Sequence, residues 1–170
     1  MTNRKLTLYA LIIAVYVSLS LVLGTFSFSA IQVRLAEVLV LLCLVEVGYT
    51  IPLTLACLIT NLIGIAMGIN FPLDFIFGTL ATLISCLLAY RFRKILWLRK
   101  PILSLLMPCI VNALVIGYEI MFYTAGGESR MAVFLAAALS VFAGQFISCV
   151  ILGSILYEPF MKAYERLMQE

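Results

Sequence analysis

The chain has 170 residues, 65% of them hydrophobic and only 11% charged, with a mean hydropathy of +1.19. A soluble domain is roughly 45–50% apolar, so this composition excludes a water-facing fold. The net charge of +3 is no nucleic-acid footprint, because the charges sit at the ends of apolar runs.

Crossing the hydrocarbon core takes about 20 apolar residues, and the chain supplies six such runs with short connections. The expected fold is one all-α integral membrane domain covering 1–170. Span one runs from about 6 to 23. It is read as a mature helix, since more spans follow and no small-residue cleavage site is clear. Arg4 and Lys5 precede it, and Ala10, Ala14 and Ser18 form a small-residue stripe along it. Span two, about 31–47, opens with Arg34 and Glu37 and closes at Glu46. Arg34 and Glu37 are three apart and share one helix face. Span three, about 49–67, has Pro52 in its first turn, Asn61 past its midpoint, and Thr60, Gly64 and Gly68 in register.

Span four, about 72–90, opens with Pro72 and Asp74. A basic loop follows, with Arg91, Arg93, Lys94, Arg99 and Lys100; its plain reading is topology and lipid headgroups. Span five, about 101–123, carries Asn112 and Glu119 seven residues apart, hence on nearly one face. Span six, about 131–157, holds Gln145 near its middle and a ridge of Ala132, Ala136, Ser140, Gly144 and Ser148, four apart. Such ridges permit close helix approach. Pro52, Pro72 and Pro101 lie at helix starts, where a missing N–H costs nothing.

Nine of the 11 basic residues fall on one side of this arrangement, leaving Arg34 and Arg130 on the other. The positive-inside rule makes the basic side cytoplasmic, with both termini inside.

The polar residues inside the spans gather in the outer half. Ionisable groups there are costly and usually functional. A proton or ion pathway would show polar groups along its whole length, so the one-sided cluster points to a capped pocket. Glu37, Asp74 and Glu119 face a single Arg34, which suits a cationic ligand. Asn61, Asn112 and Gln145 read both donors and acceptors. Phe28, Phe71, Phe75, Tyr118, Phe122 and Tyr123 have two readings, a stacking platform or an interfacial belt. Arg34–Glu37 also reads as a structural ion pair, and Asn61 and Gln145 as interhelical hydrogen-bonding groups. A flat, donor-rich, positively charged small molecule fits the set.

Catalysis and cofactors find no support. Histidine is absent, and Cys43, Cys57, Cys86, Cys109 and Cys149 lie in apolar runs without metal-ligand spacing. They read as small apolar filler. No phosphate-binding GxxxxGK loop occurs, so no cofactor, metal or nucleic-acid partner is expected.

Three segments carry a family resemblance. Ile31-Gln32-Val33-Arg34-Leu35-Ala36-Glu37 is similar to the opening of span two in the QueT family. Leu73-Asp74-Phe75-Ile76-Phe77-Gly78-Thr79-Leu80-Ala81-Thr82-Leu83 resembles its fourth-span signature, and Pro108-Cys109-Ile110-Val111-Asn112-Ala113 its fifth. The resemblance implies a substrate-binding S component of an energy-coupling factor (ECF) importer in the plasma membrane, with six helices and the site near the extracellular face. It implies uptake of a queuosine precursor, 7-aminomethyl-7-deazaguanine, a flat deazapurine. It implies partners as well: a transmembrane coupling subunit and two ATPases. Ala10-Leu11-Ile12-Ile13-Ala14 matches a motif that contacts the coupling subunit in this superfamily. The residues chosen for substrate are Glu119, Asp74 and Asn112, then Glu37, Arg34, Asn61, Gln145, Tyr118 and Phe75. An S component for another vitamin and a standalone secondary transporter of a small cationic heterocycle are the alternatives.

Overall fold

A computed structural model describes residues 3–22, 34–124 and 129–169. Phe28 and residues 31–33 lie outside the described residues. Six helices form among the described residues: α1 (Asn3–Val22), α2 (Leu35–Val45), α3 (Val47–Ala66), α4 (Asp74–Phe92), α5 (Ile102–Thr124) and α6, which starts at Arg130. All but α2 are long and apolar enough to cross a membrane. The protein is therefore a multi-pass membrane protein by helix length and hydropathy.

α2 is the exception. Leu35–Val40 is a 3-10 helix and only Leu41–Val45 is α-helical. This described part spans about 20 Å, against about 30 Å of hydrocarbon. It ends where Glu46 turns extended, at φ −137° and ψ 130°. α2 packs against α1, α4 and the middle of α6, and Ala36, Glu37, Val38, Val40, Leu41, Cys43 and Leu44 are all buried. It is an internal helix that carries its charged end into the bundle.

The α2–α3 junction is tied to the start of α1. Lys5 Nζ donates to Glu46 Oε1 at 2.8 Å, and the Tyr9 hydroxyl donates to the Gly48 carbonyl at 2.9 Å. Gly48 is needed there, because a Cβ would stand 2.9 Å from the Tyr9 hydroxyl and 3.0 Å from Glu46 Oε1.

α3 ends in a Schellman turn. Gly68 adopts φ +71°, the Ile69 N–H donates to the Gly64 carbonyl at 2.9 Å, and the Gly68 N–H to Ile65 at 3.0 Å. These bonds satisfy the last carbonyls of the helix. The turn folds Asn70 back over Gly64, where a Cβ would come within 2.7 Å of the Asn70 side chain. Gly64 and Gly68 thus build a helix end, whereas their spacing had suggested a helix contact.

Successive long helices pack side by side, α1 on α3, α3 on α4, α4 on α5 and α5 on α6. α5 and α6 come close together at Gly117, where a Cβ would meet Ala138 at 3.0 Å. Ala138 lies off the expected ridge, whose Ala132 and Ala136 are exposed. α6 is α-helical over Arg130–Gln145, passes through a π-helical turn at Phe146–Leu152, and continues as Gly153–Gln169. Gly144 and Ser148 are buried while Ala132 and Ala136 are not, because an i, i+4 row drifts around a helix of 3.6 residues per turn. The five cysteines, one on each of α2 to α6, are free and buried, and all join one core cluster.

Candidate functional site

The site assembles where α2 begins, α3 ends and α4 begins. Arg34 precedes the first turn of α2, and its carbonyl accepts the Glu37 N–H at 3.0 Å. Glu37 Oε1 accepts the Tyr16 hydroxyl of α1 at 2.9 Å. Thr82 of α4 lies against Glu37 and puts its hydroxyl 3.2 Å from Cys57 Sγ. The Arg34 guanidinium is opposed most strongly by Asp74, and further by Glu37. A cation near two buried carboxylates on separate helices offsets part of their cost in an apolar surrounding.

Asn61 is pinned on both ends. Its Nδ2 donates to the Asp74 carbonyl at 2.9 Å, and its Oδ1 accepts from Asn70 Nδ2 at 3.2 Å. The first contact relies on Gly78, since a Cβ there would stand 2.5 Å from Asn61 Nδ2. Gly78→Ala therefore pushes Asn61 off the Asp74 carbonyl. Overpacking of this kind costs typically 1–3 kcal/mol, so the unfolding midpoint in detergent should fall clearly. Leu80→Ala, at an exposed position of the same helix, should leave it nearly unchanged.

α5 supplies the second half. Glu119 and Asn112 are each 1% exposed. Neither Glu119 carboxylate oxygen and neither side-chain atom of Asn112 has a hydrogen-bond partner within the described chain. Glu119 faces the Asp74 carboxylate. An unpaired buried polar group costs about 1–3 kcal/mol, and two carboxylates facing each other add repulsion that a cation relieves. On one helix face, beside a second carboxylate, three oxygens are suited to receive donors and Asn112 Nδ2 is suited to donate.

Gln145 is buried at the base of the α-helical part of α6, where its Oε1 accepts from Cys149 Sγ at 3.5 Å. Phe75 is half-buried in the first turn of α4, and Tyr118 is exposed on the flank of α5. Phe71 and Tyr123 stack at 4.7 Å between ring centres and 4° between planes, and Phe122 meets Tyr123 edge-on at 5.7 Å. This stack joins the α3–α4 turn to the end of α5.

The structure thus brings Arg34, Glu37, Asn61 and Asp74 into one network and sets Glu119 against it. Sequence reasoning missed Tyr16, Asn70, Gly78 and Thr82. Tyr16 had a signal, because a tyrosine inside an apolar run needs a partner for its hydroxyl. Asn70 and Thr82 had none, being an ordinary turn residue and an ordinary helix hydroxyl. No group of three or more Cys, Asp or Glu side chains among the described residues could hold a metal ion.

The three segments that supply Arg34 and Glu37, Asp74 and Gly78, and Asn112 fall inside a match to one family model. That model is described as QueT transporter, and it matches residues 6–162. The chain belongs to the QueT transporter family. Comparison with curated proteins and with solved structures finds no match. Membership of a transporter family makes the protein a membrane transport protein with a small-molecule substrate, not an enzyme. It also frames the unpartnered groups of α5, since a transporter must hold a substrate away from lipid.

Proposed function

We propose that the protein is the substrate-binding S component of an ATP-driven ECF importer and that it takes up a queuosine precursor, 7-aminomethyl-7-deazaguanine. The observation that carries this reading is the pair of buried, unpartnered side chains, Glu119 and Asn112, beside Asp74. The guanine edge of this ligand presents two adjacent donors, which one carboxylate accepts in bidentate fashion. Its ammonium takes the second carboxylate. Asn112 hydrogen-bonds the ring. Arg34, Glu37 and Asn61 hold Asp74 in place, and Phe75 follows Asp74 in the first turn of α4. The basic end of the bundle faces the cytoplasm and the site opens toward the extracellular side.

Docking to the coupling subunit uses α1. That helix buries only Tyr9, Ile12 and Tyr16, so Ala10, Ala14 and Ser18 are exposed together. Small residues in this spacing admit a second helix at close range. The two ATPases bind through the coupling subunit.

Reconstitution into liposomes tests this. The chain alone should accumulate no labelled precursor, and uptake should appear with the coupling subunit, the ATPases and ATP. Ala10→Leu with Ala14→Leu should abolish that uptake while ligand binding by the purified chain persists. Uptake by the chain alone, driven by a proton or sodium gradient, would contradict the proposal and favour a secondary transporter.

A further inference from the structure

The link between α4 and α5 is a tight hairpin. The Trp97 N–H donates to the Lys100 carbonyl at 2.8 Å, and the Lys100 N–H to Trp97 at 3.0 Å. Leu98 and Arg99 between them adopt φ 51° and 64°, the positive signs of a type I′ turn. Such turns ordinarily use Asn-Gly or Asp-Gly. Here the strained positions hold a leucine and an arginine, and both side chains point away from the protein's own core.

The result is an apolar tip with a basic rim. Trp97 is 68% exposed and Leu98 81%, and Ile95 and Leu96 before them are exposed too. Four consecutive exposed apolar residues call for something to cover them. The same ten-residue stretch carries Arg91, Arg93, Lys94, Arg99 and Lys100 and no acidic residue. Arg93 folds back, with its guanidinium 3.6 Å above the Tyr90 ring and Nη1 donating to the Tyr90 carbonyl at 2.9 Å. The other four cations flank the apolar residues in sequence.

Position supports a lipid covering. The hairpin leaves a membrane span at Phe92 and enters the next at Ile102. The shorter arm, from Arg99 to Ile102, reaches at most about 10 Å, while the headgroup zone is about 5–8 Å deep on each side. The tip therefore cannot stand far from the headgroups. Tryptophan prefers that zone, and basic residues there attract anionic lipid.

We propose that this hairpin is an interfacial anchor, seating Trp97 and Leu98 at the headgroup–acyl boundary while its cations bind anionic phospholipid headgroups. This does not rest on the proposed substrate or importer role.

Trp97 is the single tryptophan of the chain, so the unaltered protein carries its own probe. The protein is placed in vesicles of phosphatidylcholine and phosphatidylglycerol, with bromine on the acyl chains of one or the other. The expected result is a blue-shifted emission with quenching by both lipids, stronger from brominated phosphatidylglycerol. The preference should fade in high salt and fall about fivefold per cation removed in Arg99→Gln and Lys100→Gln. Emission characteristic of indole in water, with no quenching by either brominated lipid, would overturn the proposal. So would equal quenching by the two lipids at low salt. A shift seen only when the coupling subunit and ATPases are added would overturn it too, in favour of a protein partner.

Discussion

Glu119→Met should make the empty protein more stable and destroy its ligand binding. The wild-type carboxylate is buried with no amide, hydroxyl or cationic donor among the described residues, and it faces Asp74. Methionine removes the desolvated polar group and the repulsion at similar volume. A gain of about 1–3 kcal/mol is expected from relieving one such group. The same group is the proposed partner of the ligand's donors, so affinity should fall by about 2 kcal/mol or more, roughly 30-fold. Thermal unfolding in detergent, with and without 7-aminomethyl-7-deazaguanine, reads both effects. The midpoint of the empty variant should rise while the ligand-induced shift disappears. Asn112→Leu should behave alike. A variant that loses stability without ligand would mean that Glu119 is a structural residue.

Arg34→Met should do the opposite. Arg34 is the positive charge acting on the buried Asp74 and Glu37, and leaving a buried charge uncompensated costs about 3–5 kcal/mol. The unfolding midpoint should drop sharply even without ligand. Adding Asp74→Asn should restore part of the loss, because it removes one of the charges left uncompensated, and the double-mutant cycle measures their coupling. An unchanged midpoint in Arg34→Met would show that Asp74 and Glu37 do not depend on it. The two substitutions together separate groups that hold the site from groups kept for a ligand.

Much of the architecture was legible because membranes impose simple rules. Six apolar runs were read as spans, five of them form helices long enough to cross a membrane, and the prolines and basic clusters marked their ends. The charged residues were equally readable, since an apolar run leaves few places for Arg34, Glu37, Asp74 and Glu119 to hide. Helix rotation was not. Spans that are apolar on every side have no polar face to show which residues turn inward. That is why the ridge of α6 was misplaced relative to Ala138, and why Tyr118 was read with Glu119 although it is exposed. The short, partly 3-10 character of α2 was also hidden, because its composition matches that of a full span. The pairing of Asn70 with Asn61 depends on a Schellman turn, and the spacing of Gly64 and Gly68 suggested packing before it suggested a cap.

Titration calorimetry on the purified chain in detergent, with no coupling subunit or ATPase present, tests the central claim most directly. Saturable one-to-one binding of 7-aminomethyl-7-deazaguanine is expected. The uncharged 7-cyano analogue should bind much more weakly, because it lacks the ammonium that the Asp74–Glu119 pair would receive. Absence of heat with the aminomethyl compound, or equal affinity for the two, would contradict the claim.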